Sequence, residues 1–192
     1  GTIDDDPSAY ENGTLVDDPH GAIDLANSGL DITGAIAILN VGSFKTWTRR
    51  VLSHSGNTFT YDPVPGWKTK HHDYFLEGQL AFLDTAGEWF LDTLTYELYF
   101  WPPDNGDPND LSIRGKVQSY AFEISNSDHV QIKNIEFFGT TFNFSNCDYT
   151  LIENCNLWFP SCYKRMLGVV DNQPDMSLFT SSSNCLVYKC AF

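Results

Sequence analysis

The chain has 192 residues, 42% of them hydrophobic and 15% aromatic, enough to pack a core and too many to leave the chain disordered. Its 11 Lys and Arg against 25 Asp and Glu give a formal net charge of −14, which repels a polyanion over most of the surface and makes nucleic acid a poor partner. No apolar run approaches the length of a membrane span, and no signal peptide precedes Gly1-Thr2-Ile3, so the sequence reads as a mature product or a fragment.

Residues 1–110 carry no internal repeat and are expected to form an N-terminal β module built onto early coils of the part that follows. Residues 35–39, 47–53 and 57–61 read as strands, with Ser55-Gly56-Asn57 as the turn between the last two. Residues 75–83 are predicted as one short helix. Residues 87–92 and 97–103 are predicted as an antiparallel hairpin closed by Pro102 and Pro103.

Residues 111–192 repeat. Phe122 through Phe137 is one copy, and its pattern returns 20 residues later from Phe142 through Leu157. A third copy, from Leu178 to Phe192, follows at an offset of 35, one coil plus an insertion. Aligned this way, Ile124, Phe144 and Phe179 share a column, as do Ile132, Ile152 and Val187, then Ile135, Cys155 and Cys190, then Phe137, Leu157 and Phe192. Alternate side chains point inward, as strands require, and only stacked copies can bury them. Asn126 falls over Asn146 and Asn134 over Asn154, the placement expected of corner turns that bond to one another. A leucine-rich repeat is the rival, but its Leu-x-x-Leu-x-Leu pattern is absent. The expected fold is all-β, a right-handed parallel β-helix solenoid with an N-terminal antiparallel β module. Because Phe192 falls within a strand pattern, more chain or a partner subunit is expected to follow.

All five cysteines lie between Cys147 and Cys190, with no CxxC pair, so zinc is disfavoured. Cys155 and Cys190 share an inward column at a strand spacing compatible with a disulfide, and stacked free thiols are the preferred alternative. Two sequons, at Asn12 and Asn143, mark glycosylation sites if the source is eukaryotic. Asn143 lies between two inward phenylalanines and is expected to face out.

The segments 74–77, 83–92 and 97–104 resemble the linker that precedes the coils in many large right-handed parallel β-helix proteins. The stretch 161–168, Ser-Cys-Tyr-Lys-Arg-Met-Leu-Gly, is similar to secreted algal and marine bacterial members. Characterised proteins of this architecture include polysaccharide lyases and glycoside hydrolases, and many members have no known activity. The resemblance implies an extracellular, carbohydrate-rich setting.

Candidate sites follow from residue chemistry. Lys164 and Arg165 lie in the insertion between the second and third copies, with Asp171 and Asp175 after them. A lyase needs a base and a cation beside a uronate, so Lys164, Arg165 and Asp171 are the catalytic candidates, against a loop-holding ion pair. Asp104, Asp107 and Asp110 surround Gly106 and could ligate calcium, with a solvated turn as the alternative. His71-His72-Asp73 reads as loop, because adjacent side chains diverge, and Asp4-Asp5-Asp6 is a weaker metal candidate still. Of Trp47, Trp67, Trp89, Trp101 and Trp158, most are expected in the core, with a sugar-stacking platform among them as the alternative. The function expected is polysaccharide binding or cleavage outside the cell. The alternative is a structural subunit of an extracellular filament, joined end to end with further copies of itself.

Overall fold

The structure, a computed structural model, describes residues 12–18, 23–42, 45–64, 73–116, 118–161, 170 and 175–192. The fold is all-β, without a closed barrel. Two compact units divide the chain, the first containing Gly1–Leu111 and the second Ser112–Tyr163 and Gln173–Phe192. Among the described residues no helix is long and apolar enough to cross a membrane.

The first unit is antiparallel. Its strands are β1 (Thr14–Val16), β2 (Ile36–Gly42), β3 (Lys45–Arg50), β4 (Ser53–Ser55), β5 (Thr58–Thr60), β6 (Tyr74–Glu77), β7 (Trp89–Asp92) and β8 (Glu97–Phe100). They pair in the orders β1-β5-β4, β3-β2-β6 and β7-β8. β2 is a central strand with Ile36, Ala37, Ile38, Leu39 and Val41 all buried, which is why its sequence is a continuous apolar run and not an alternation. The turn read at Gly56 forms, with Ser55 opposite Thr58. The hairpin read at 87–103 also forms, with Trp89 opposite Phe100 and Asp92 opposite Glu97.

The helix expected over residues 75–83 does not form. Tyr74–Glu77 is a strand paired with β2, and only Leu80–Phe82 makes a single 3-10 turn. The cause is a period of two: Tyr74 and Leu76 pack into the core while Phe75 is exposed. Gly78, at φ +81°, then ends the strand.

The first core gathers Leu15, Leu39, Trp47, Phe59, Tyr61 and Tyr74 among others. One carboxylate lies inside it. Asp17 accepts the Tyr74 hydroxyl at 2.7 Å and the Leu25 amide at 3.0 Å. The pairing ties β1 to β6 and to the loop at Leu25, and it meets the demand that a buried polar group be hydrogen-bonded. Burial first, then the hydrogen bond from Tyr74 to Asp17 and the aspartate's charge, push the Tyr74 phenol above its ordinary range. Gly13 is irreplaceable by geometry, because a Cβ there would sit 2.0 Å from the Tyr61 carbonyl oxygen.

The second unit is parallel. β9 (Tyr120–Ser125), β10 (Gln131–Lys133) and β11 (Glu136–Phe138) form a first rung; β12 (Thr141–Ser145), β13 (Leu151–Glu153) and β14 (Asn156–Trp158) a second; β15 (Leu178–Thr180) and β16 (Leu186–Tyr188) a third. The sheets run β15-β12-β9, β10-β13-β16 and β11-β14. The registers match the sequence columns: Phe142 pairs with Phe122, Phe144 with Ile124 and Phe179, Ile152 with Ile132 and Val187, and Phe137 with Leu157. Phe144 is fully buried and stacks on Phe179 at 5.3 Å.

The corners repeat as closely as the strands. Asn126, Asn146 and Ser181 take positive φ, as do His129, Tyr149 and Asn184, then Asn134, Asn154 and Lys189. Asparagine tolerates this left-handed region better than most residues. The Asn columns are bonded: Asn146 donates to Asn126 at 3.4 Å and Asn154 to Asn134 at 2.6 Å. An aspartate ladder runs beside them. Asp128 Oδ1 accepts the Asp148 amide, and Asp148 Oδ1 accepts the Ser183 amide, both at 2.8 Å.

Candidate functional site

The catalytic candidates Lys164, Arg165 and Asp171 lie outside the described residues, as do His71, His72, Trp67, Cys162 and the aspartates at 4–6. Asp175 is described, and it accepts the Ser119 hydroxyl. Asn12 is exposed. Asn143 is half-buried on β12 between the buried Phe142 and Phe144, paired with Glu123 and Leu178.

The acidic loop at 104–110 is folded on its own hydrogen bonds. Asp104 Oδ1 accepts the Gly106 amide, and Asp107 Oδ1 accepts both nitrogens of Asn109, capping the 3-10 turn at Pro108–Asp110. These bonds hold the Asp107 carboxyl below its ordinary range. Among the described residues no group of three His, Cys, Asp or Glu side chains gathers as a metal site.

The disulfide between Cys155 and Cys190 does not form; both are free thiols, as are Cys147 and Cys185. Each sulfur turns toward backbone oxygens instead. Cys155 Sγ lies 3.9 Å from the Ile132 carbonyl and 3.3 Å from that of Glu153, and Cys190 Sγ lies 3.7 Å from Ile152 and 3.4 Å from Tyr188. In each column the thiol points at the rung before it, so the two behave as small apolar side chains with weak donors.

The tryptophans divide differently from expectation. Trp47 belongs to the core, whereas Trp89, Trp101 and Trp158 are exposed. Trp89 and Phe90 help line a half-open cavity of about 320 Å3 in the first unit, together with Leu76, Phe82, Glu77 and Glu88. Glu88 Oε2 is occupied there by the amides of Asp84 and Thr85.

The strongest surface constellation lies on the outer face of β11 and β14. Inward Phe137 and Leu157 alternate with outward Glu136, Phe138, Asn156 and Trp158. Phe138 and Trp158 are register partners on neighbouring strands, so their rings sit side by side with Cβ atoms about 5 Å apart. Phe159 turns out at the corner with φ +53° and packs edge-on to Phe138 at 5.7 Å. All three rings are more than half exposed. The Trp158 indole donates to Glu136 Oε1 at 2.8 Å, a bond from one rung to the next that fixes the ring plane. Arg114 lies over Phe138 with its guanidinium carbon 5.5 Å from the ring centre, a favourable cation–π arrangement. Lys116 Nζ donates to the Pro160 carbonyl at 3.4 Å.

Flat rings held on a rigid sheet, with hydrogen-bonding groups at their edges, can stack a sugar ring and bond its hydroxyls. Residue-by-residue reading missed Arg114, Glu136, Phe138 and Phe159. The signal was available in part: the 20-residue offset that aligns Phe137 with Leu157 also aligns outward Phe138 with Trp158. No family model, curated protein or solved structure matches the chain.

Proposed function

We propose that the chain is a right-handed parallel β-helix protein that binds polysaccharide in an extracellular, carbohydrate-rich setting. The solenoid reading is supported by the in-register parallel columns and by corners that repeat the same left-handed residues from rung to rung. The observation that carries the binding reading is the exposed row of Phe138, Trp158 and Phe159 on the outer face of a stacked sheet. Such exposed aromatic surface on a rigid element marks a contact surface for a ligand or partner. An extended polymer suits it, because a stack presents a long, straight face. Cleavage is the other expectation for such a surface, with Lys164, Arg165 and Asp171 as its candidates. The test is affinity electrophoresis through gels containing cellulose, xylan, mannan, alginate or carrageenan. At least one polymer retards the protein, and Trp158→Ala weakens that retention about tenfold or more. Equal mobility in every gel overturns the reading.

A second reading, a structural subunit that stacks on further copies of itself, is favoured by β16, whose Leu186, Val187 and Tyr188 are all exposed. An open strand edge pairs readily with another chain. Sedimentation velocity separates the two: concentration-dependent growth supports stacking, and a fixed monomer removes it.

A further inference from the structure

The aromatic row ends in two cations, in a chain whose net charge is −14. Arg114 is exposed and Lys116 half-buried, and neither has a carboxylate partner among the described residues. The Arg114 guanidinium lies over the Phe138 ring, its carbon 5.5 Å from the centre, and a guanidinium offers a planar fork of N–H donors that matches an oxyanion. Lys116 uses one of its three donors on Pro160 and keeps two. The nearest described acid on the row, Glu136, accepts the Trp158 indole N–H. Glu136 and Phe138 lie two residues apart on one face of the strand, about 7 Å, which is within the screening length at physiological salt, so Glu136 offsets part of the positive charge. Arg114 and Lys116 against Glu136 leave the row with one more positive than negative charge, in an acidic chain.

We propose that Arg114 and Lys116 bind an oxyanion substituent, a sulfate ester or a carboxylate, on a sugar polymer whose ring stacks on Phe138 and Trp158. The proposal rests on the polysaccharide-binding reading and narrows its ligand to charged glycans. Arg114 and Lys116 supply the discrimination and the rings supply contact common to every sugar. The acidic remainder of the surface repels the polymer at long range, so the preference resides in direct contact at this corner.

The experiment compares soluble cellulose oligomers in neutral, oxidised (carboxylate) and sulfated forms, by calorimetric titration of the full chain at physiological salt. At least one charged form binds tenfold or more tighter than the neutral form. The paired substitution Arg114→Gln with Lys116→Gln reduces that form to the neutral affinity, whereas Trp158→Ala weakens all forms alike. Arg114→Lys keeps the charge and loses the fork, so it retains part of the preference; circular dichroism confirms that each variant keeps its strand signal. Equal binding of neutral and charged oligomers, or a preference that survives the paired substitution, overturns the proposal while gel retention still stands. Absence of binding to every oligomer and every gel polymer overturns both.

Discussion

The two units place their hydrogen-bonding side chains in opposite ways. The first places a carboxylate in its core and closes it with a phenol and an amide, at Asp17, Tyr74 and Leu25. The second fills its interior mainly with apolar side chains, Thr141 (bonded to Ser177) and Thr150 being the buried polar exceptions, and its side-chain ladders run along the corners, through Asn126 and Asn146, Asn134 and Asn154, and Asp128 and Asp148. A single buried network makes stability depend on one arrangement, whereas repeated ladders spread it over many weak bonds. The interior of the second unit then rests mainly on packing.

That difference predicts where each unit breaks. In the second, Phe144 is fully buried between Phe142 and Phe179, with rings at 5.7 and 5.3 Å. Phe144→Ala costs about 3–5 kcal/mol through lost burial and the cavity left behind. Chemical denaturation measures the loss, and amide exchange places it in β12 and its neighbours β9 and β15. A loss below about 1 kcal/mol would mean that the rung collapses to fill the gap.

In the first unit the corresponding weak point is polar. Tyr74→Phe removes the hydroxyl from Asp17 and leaves a buried carboxylate short of one donor, at a cost of about 1–3 kcal/mol. It also changes the alkaline limb. The Tyr74 phenol is raised above its ordinary value of 10.0 in the fold, so the unfolded chain ionises first. The contribution of the group to stability is complete below pH 10 and declines as pH rises toward the raised value. Melting temperature followed across that range falls more steeply for the parent than for Tyr74→Phe. Parallel alkaline limbs would show that Tyr74 is not the group responsible.

The same contrast explains what the sequence disclosed. Columns in the second unit were legible because a fixed offset puts residues of one kind in one place, and the strand registers follow those columns pair by pair. The Asn corners were legible for the same reason. The corner at His129 and Tyr149 was not, although the two rings stack at 4.9 Å, because the residue type changes from rung to rung and tyrosine does not favour a left-handed turn. In the first unit only local signals exist. Gly56 marked its turn, but 75–83 was read with the wrong period, since four residues of alternation followed by a glycine and a short turn carry too little pattern to exclude a helix. The aromatic row was hidden by a different cause: large rings usually fill β cores, and Trp158 departs from that habit.

The smallest expected effect tests whether the corner ladders contribute at all. Asp148 Oδ1 accepts the Ser183 hydroxyl at 2.7 Å and the Ser183 amide at 2.8 Å, and these bonds, the hydroxyl's first, hold its carboxyl below the ordinary value of 3.8. A depressed carboxyl lends stability above 3.8 and loses it as pH falls through the lowered value. Asp148 is only partly buried, at a solvated corner, so solvent screens much of the gain and the change is small. Asp148→Asn keeps an acceptor oxygen in place and removes the titration. At neutral pH the variant therefore melts slightly below the parent, and on acidification beneath 3.8 the two converge. Asp31, Asp92 and Asp107 are depressed by their own local bonds in the first unit and lower both proteins equally, so the difference between parent and variant isolates the ladder. If the gap at neutral pH persists unchanged into acid, the Asp148 charge lends the second unit nothing, and its corners hold through the Asn columns and backbone bonds alone.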